Sequence, residues 1–108
     1  MKIVKLGAEW CAPCKMLERT LELIKADEKY KDIEIVAYDV EKDDEGQELA
    51  IQNKVSSIPV TLFYDDNDEL VFKFIGNAPK RDIEQTIQLK FFGGKKETKE
   101  EDKKEETA

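Results

Sequence analysis

The order in which two apolar periodicities alternate near the start of the chain restricts the fold more tightly than any other feature. "KIVKLG" is a short run rich in β-branched residues that ends at Gly7, the pattern of a strand. From Pro13 onward Leu17, Leu21 and Ile24 recur at steps of four and three, which puts them on one face of a helix ending near Asp27. Pro13 suits the first turn of that helix, where its missing N–H has no partner to lose. "DIEIVAYDV", residues 32 to 40, returns to a strand pattern. Strand, helix and strand in this order predict a parallel pair joined by a right-handed crossover.

After the acidic stretch "EKDDEGQE" a short helix is expected around Glu45 to Gln52. "PVTLFY" (59 to 64) and "ELVFKFI" (69 to 75) are strand patterns separated by the turn-rich "DDND", close enough to form an antiparallel hairpin. Ile83, Ile87 and Phe91 then mark a last helix, stopped by Gly93 and Gly94. The expected class is α/β, a four-stranded mixed sheet flanked by about three helices, occupying residues 1–92. The remainder, 93–108, ends in "KKETKEEDKKEETA", with 5 lysines and 6 acids in 14 residues. So little apolar material cannot repay the entropy of ordering, and a charged, disordered tail is expected there.

At 108 residues the chain has room for one core and one site. Its 18 Lys+Arg against 25 Asp+Glu leave a net charge of -7. That balance disfavours nucleic acid as a partner, because phosphate contacts need clustered cations. No apolar run reaches the roughly 18 residues of a membrane span. "MKIVKLGAEW" also lacks the apolar core and small-residue cleavage site of a signal peptide. The expectation is a cytoplasmic protein with no membrane partner.

"EWCAPCK" contains the only two cysteines, and the chain has no histidine. In a reducing cytosol such a pair suggests a reactive dithiol or a metal site rather than a permanent staple. A structural disulfide across three residues would close a tiny loop and remove little entropy from the unfolded chain. A closed zinc site needs four ligands and would require two copies of this chain. Without an imidazole, a Cys–His hydrolase is excluded. The "DDND" turn has the acidity of a calcium loop but not the glycine and closing glutamate of an EF-hand. Redox chemistry is the strongest reading, with no metal and no resident cofactor.

Residues three apart on a helix share a face with Cβ atoms roughly 5–6 Å apart, near enough for a disulfide after a small adjustment. Cys11 is expected where unpaired helix N–H groups and the positive end of the macrodipole meet solvent and favour a thiolate, which makes it the nucleophile. Cys14, one turn further in, is placed to resolve the mixed disulfide that Cys11 forms with a target.

With "AEWCAPCK" at the first strand-to-helix junction, "SIPV" opening the hairpin and Gly76 after the last strand, the chain resembles the thioredoxin family over most of residues 1 to 92. It begins about one strand and one helix later than a full-length thioredoxin. Ala12-Pro13 stands where the common form has Gly-Pro. The resemblance implies a thioredoxin-like fold lacking that N-terminal strand and helix. It implies a protein-disulfide reductase acting on disulfide-containing proteins and recycled by an NADPH-dependent thioredoxin reductase. It further implies a substrate-binding surface made by Trp10, Ala12, Pro13, Ile58, Pro59 and Gly76. Trp10 would then be a docking residue rather than core. Pro59 by itself would be a trans proline starting an edge strand. The family has it cis and facing the dithiol, with the backbone of Ile58 pairing to an extended target. Gly76 would line the same groove, or serve as an ordinary turn glycine. The alternatives are a glutaredoxin-like or oxidase/isomerase-type dithiol protein, because the fold hosts a wide range of potentials, and an interaction module whose thiols are incidental.

Six residues before Cys11, where thioredoxins carry a buried aspartate that assists proton transfer at the resolving thiol, this chain has Lys5. The lysine that often accompanies the aspartate aligns with Ala37. Lys5 is therefore a candidate catalytic residue with three fates. It can snorkel to the sheet rim. It can stay near the thiols as a cation, favouring thiolate and a more oxidising couple. Or it can lose its charge on burial and accept the proton of Cys14. The second is the expectation carried forward.

Overall fold

In the computed structural model, which describes residues 1–92, strand β1 (Lys2–Gly7) runs inside a four-stranded sheet. It is followed by helix α1 (Ala12–Ala26), β2 (Glu34–Asp39), α2 (Asp44–Gln52), β3 (Val60–Tyr64), β4 (Leu70–Ile75) and α3 (Lys80–Lys90). The strand order is β2-β1-β3-β4, with β1 and β2 parallel and β3 antiparallel to both β1 and β4. This is the mixed α/β sheet expected from the alternation of periodicities.

The alternation of side chains along β1 and β3 divides the core in two. Ile3 and Phe63, paired across the strands, face α1 and α3 and pack against Leu17, Leu21, Ile24, Ile83 and Ile87. Val4, Leu6, Val60 and Leu62 face the other way, toward Leu49 and Ala50 of α2. Each fully buried Leu or Ile contributes about 1.5–3 kcal/mol, so the stripe on α1 is what holds that helix on the sheet. The site depends on this, because the N-terminus of α1 carries both cysteines.

Three local departures have physical causes. β2 starts two residues later than expected, because Asp32 and Ile33 belong to a turn in which the Ile33 N–H donates to the Tyr30 carbonyl at 3.0 Å. A 3₁₀ turn, Glu28–Tyr30, precedes it; three residues are too few for periodicity to reveal. α3 ends at Lys90 and Phe91 caps it, turning its ring to within 6.0 Å of Phe63. The expected stop at Gly93 and Gly94, and the charged tail, lie outside the described residues. Among the described residues no helix is long and apolar enough to cross a membrane.

Candidate active site

β1 ends at Gly7, and the chain turns through Ala8, Glu9 and Trp10 into α1. The Cys11 N–H donates to the Ala8 carbonyl at 3.2 Å, closing the turn. Cys11 occupies the N-cap position with extended backbone, and its Sγ accepts the Cys14 N–H at 3.2 Å. A cap normally carries an oxygen acceptor; here the sulfur takes over one of the helix's unpaired N–H groups. Cys11 and Cys14 are joined by a disulfide with their Cα atoms 5.2 Å apart.

The expectation that Cys11 meets solvent is corrected by the packing. Cys11 is only 4% exposed and Cys14 1%, because the disulfide is seated among Ala8 and Ile58. The two residues nevertheless open onto separate concavities. Cys11 lines an apolar groove of about 600 Å³ bounded by Trp10, Pro13, Val40, Val55 and Ile58. Cys14 lines a charged cavity of about 300 Å³ shared with Lys5, Glu9, Glu18 and Asp39.

Of the other residues singled out in the sequence, Trp10 is 68% exposed, so it is not core. Ala12 and Pro13 are exposed on the first turn of α1. The Ile58–Pro59 peptide bond is cis; Ile58 bounds the groove, and Pro59 is buried and not among the groove's bounding residues. Gly76 has φ +95, which favours glycine on conformational grounds alone, and its N–H donates to the Pro59 carbonyl at 2.8 Å. Nothing lies within 4 Å of the position a Cβ would take there, and Gly76 is not among the residues bounding the groove.

Lys5 does not reach the rim. It is 7% exposed, on the face of β1 that carries α1, and Ala37 is its neighbour on β2. Its ammonium stands 3.9 Å from Oε1 of Glu18, a half-exposed carboxylate. Gly7, two residues on along the same face, makes room for the disulfide: a Cβ there would be 2.9 Å from Cys14 Sγ and 3.4 Å from Lys5 Cε.

The turn before α1 is tied down from β2. Asp39 accepts N–H bonds from Glu41 at 2.7 Å, Lys42 at 3.1 Å and Glu9 at 3.2 Å. These donors, the Glu41 N–H foremost, hold its carboxyl below the usual range. The side chain of Lys42 pairs with Glu9, and that hydrogen-bonded carboxylate raises the ammonium above its ordinary value. Sequence reasoning missed Glu18 and Asp39, and the groove walls Val40, Ala50 and Val55. Glu18 carried a usable signal, four residues after Cys14 and so on the same helix face. The groove walls carried none, because they come from three separate segments.

A helix-terminal disulfide packed against Ile58, on this mixed sheet, defines a thiol–disulfide oxidoreductase of thioredoxin-like fold. The thioredoxin family model matches residues 1–89. The thioredoxin of Staphylococcus epidermidis is 34% identical over 87 residues, covering 81% of this chain and 79% of that one. The thioredoxin of Mycoplasmoides gallisepticum is 31% identical over 86 residues, covering 80% of each. Oxidized mitochondrial thioredoxin 3 of Saccharomyces cerevisiae superposes with a TM-score of 0.67 at 29% identity, over 81% of this chain and 76% of that one. A variant thioredoxin of Halobacterium salinarum, at 24% identity and a TM-score of 0.69 over 81% of this chain and 71% of that one, shares the fold. The chain belongs to the thioredoxin family.

Proposed function

We propose that the chain is a protein-disulfide reductase in which Cys11 attacks the target disulfide and Cys14 resolves the product. The observation that carries this reading is the separation of the two cysteines' surroundings. Cys11 opens on an apolar groove large enough for an extended peptide, and Cys14 faces away from it. A target laid along the groove meets Trp10, Ala12 and Pro13 on one side and the Ile58–Pro59 backbone on the other, where it adds as a strand. Gly76 lies outside the groove and is tied to the Pro59 carbonyl by its N–H. Disulfide-containing proteins are the substrates. An NADPH-dependent thioredoxin reductase returns the electrons, and the cytoplasm, where such a dithiol is kept reduced, is the site of action.

Insulin reduction tests this, run in parallel with thioredoxin reductase plus NADPH and with glutathione plus its reductase. Turnover is expected with the first system and is abolished in Cys11→Ser and Cys14→Ser. Recycling by glutathione alone assigns a glutaredoxin-like protein instead. Activity that survives both serines shows the thiols to be incidental.

A further inference from the structure

Lys5 is the one buried cation among the described residues, and the reaction above gives it no work. Its surroundings are lopsided. Outward, Glu18 of α1 stands 3.9 Å from the ammonium. Inward, Cys14 Sγ and Lys5 Cε both lie within 3.4 Å of one point above Gly7, so the sulfur is within a side chain's swing of the ammonium. Directly across the sheet is Thr61, fully buried, whose Oγ1 is the only buried side-chain polar atom among the described residues without a hydrogen-bond partner. Cys14 and Glu18, one turn apart on α1, thus present two acceptors to a single cation, and the inner one carries charge only when the disulfide is reduced.

We propose that the Lys5 ammonium is shared between two positions, paired with Glu18 in the oxidised protein and drawn inward to the Cys14 thiolate in the reduced one. This rests on the dithiol reading above. Before the resolving step the Cys14 S–H proton leaves through the charged cavity to solvent, giving the thiolate that the Lys5 ammonium holds. The sulfur's electron pair then forms the Cys14–Cys11 bond as the Cys11–target S–S bond breaks. The target sulfur departs as a thiolate, so the cysteine pair is oxidised by two electrons and the target disulfide reduced. A cation that follows the thiolate keeps the resolving sulfur deprotonated at neutral pH without a buried base. Thr61 supplies the inward ammonium with an acceptor that is idle when Lys5 leans outward. Glu18 opposes the shift, since its carboxylate competes for the same cation.

The remaining charges around the cavity are Lys15 on α1, Glu9 in the turn before it, and Asp39, Lys42 and Asp43 after β2. Below the ion pair, Glu22 and Lys25 of α1 face the gap toward β2. All of these stay constant when only Lys5 or Glu18 is changed.

The test is titration of the single Cys14 thiolate, followed by its ultraviolet absorbance, in the full chain carrying Cys11→Ser. Lys5→Met in that background is expected to move the titration upward by about one pH unit. Glu18→Gln is expected to move it downward, because the cation is then undivided. Lys5→Gln, which keeps a polar end without charge, repeats the measurement if Lys5→Met fails to fold. A purely structural role for the pair alters stability but does not shift the thiol in opposite directions. Unmoved curves for the Lys5 variants, or a Glu18→Gln shift that is absent or upward, overturn the proposal. The readout needs no turnover, so failure of the reductase reading, seen in the insulin assay, is a separate result.

Discussion

Gly7 shows how one missing side chain supports the chemistry. A Cβ at this position would stand 2.9 Å from Cys14 Sγ, closer than real contacts allow, and a tight 3.1 Å from Cys14 Cβ. In the disulfide the sulfur has no freedom to retreat, whereas a free thiol can rotate. Gly7→Ala is therefore expected to destabilise the oxidised protein by about 1–3 kcal/mol and the reduced protein by less. A redox titration against glutathione should find the variant more oxidising than the parent, and equal loss in both states, measured by chemical denaturation, would refute the idea. Cys11 gives a second expectation. It alone of the pair lines the groove, so one equivalent of an alkylating reagent should label it well ahead of Cys14 in the reduced protein. Peptide mapping by mass reads the ratio, and preferential labelling of Cys14 reverses the assigned roles.

The helices are seated by contacts that run against local preference. Gly46 lies inside α2, where alanine is ordinarily better by about 1 kcal/mol. Its Cβ would meet the Asp39 carbonyl oxygen and Tyr38 Cβ, each at 2.9 Å, so α2 sits on β2 only because this side chain is absent. Gly46→Ala should lower the melting temperature despite the gain in propensity, and should slow reduction of insulin, since Ala50 of α2 is a wall of the groove. A second link joins the 3₁₀ turn to α3: the Tyr30 hydroxyl donates to Glu84 Oε2 at 3.1 Å. Burial, then this bond, pushes the phenol from 10.0 up to about 12. The folded protein holds that proton to higher pH than the unfolded chain. The linked stability is therefore fully present below the unfolded value and is lost as pH rises through about 12. Melting temperatures of Tyr30→Phe should lack this alkaline decline.

Taken as one body, residues 1–92 are a sheet with α1 and α3 on one face and α2 on the other, and the site lies at the N-terminus of α1, just after the end of β1. We propose that residues 93–108 are a separate charged segment. Deleting 95–108, which holds a single apolar residue, should leave melting temperature and insulin reduction unchanged, and a fall of several degrees would show that it packs. Much of this architecture was legible from local spacing. Apolar steps of four and three make α1 a surface helix whichever way it lies, and strand, helix, strand dictates a parallel pair. The cysteines fall at the helix start because Pro13 does. What spacing left open was which face each residue takes in a strand covered on both sides. "KIVKLG" is apolar at Ile3, Val4 and Leu6 alike, so its pattern does not say whether Lys5 lies under α1 or under α2. Only the register with β3, Lys5 opposite Thr61 and Ile3 opposite Phe63, puts Lys5 beneath the cysteines, and a slip of one residue would have turned it away. The groove is decided the same way. Val40, Ala50, Val55 and Ile58 have no common period, and they meet because α2 and the loop before the cis Ile58–Pro59 bond are folded onto the end of the sheet. Local sequence chose the elements and the reactive pair, and the packing of distant segments chose what surrounds that pair, because side-chain contacts across a sheet depend on register and helix placement, which no short stretch encodes.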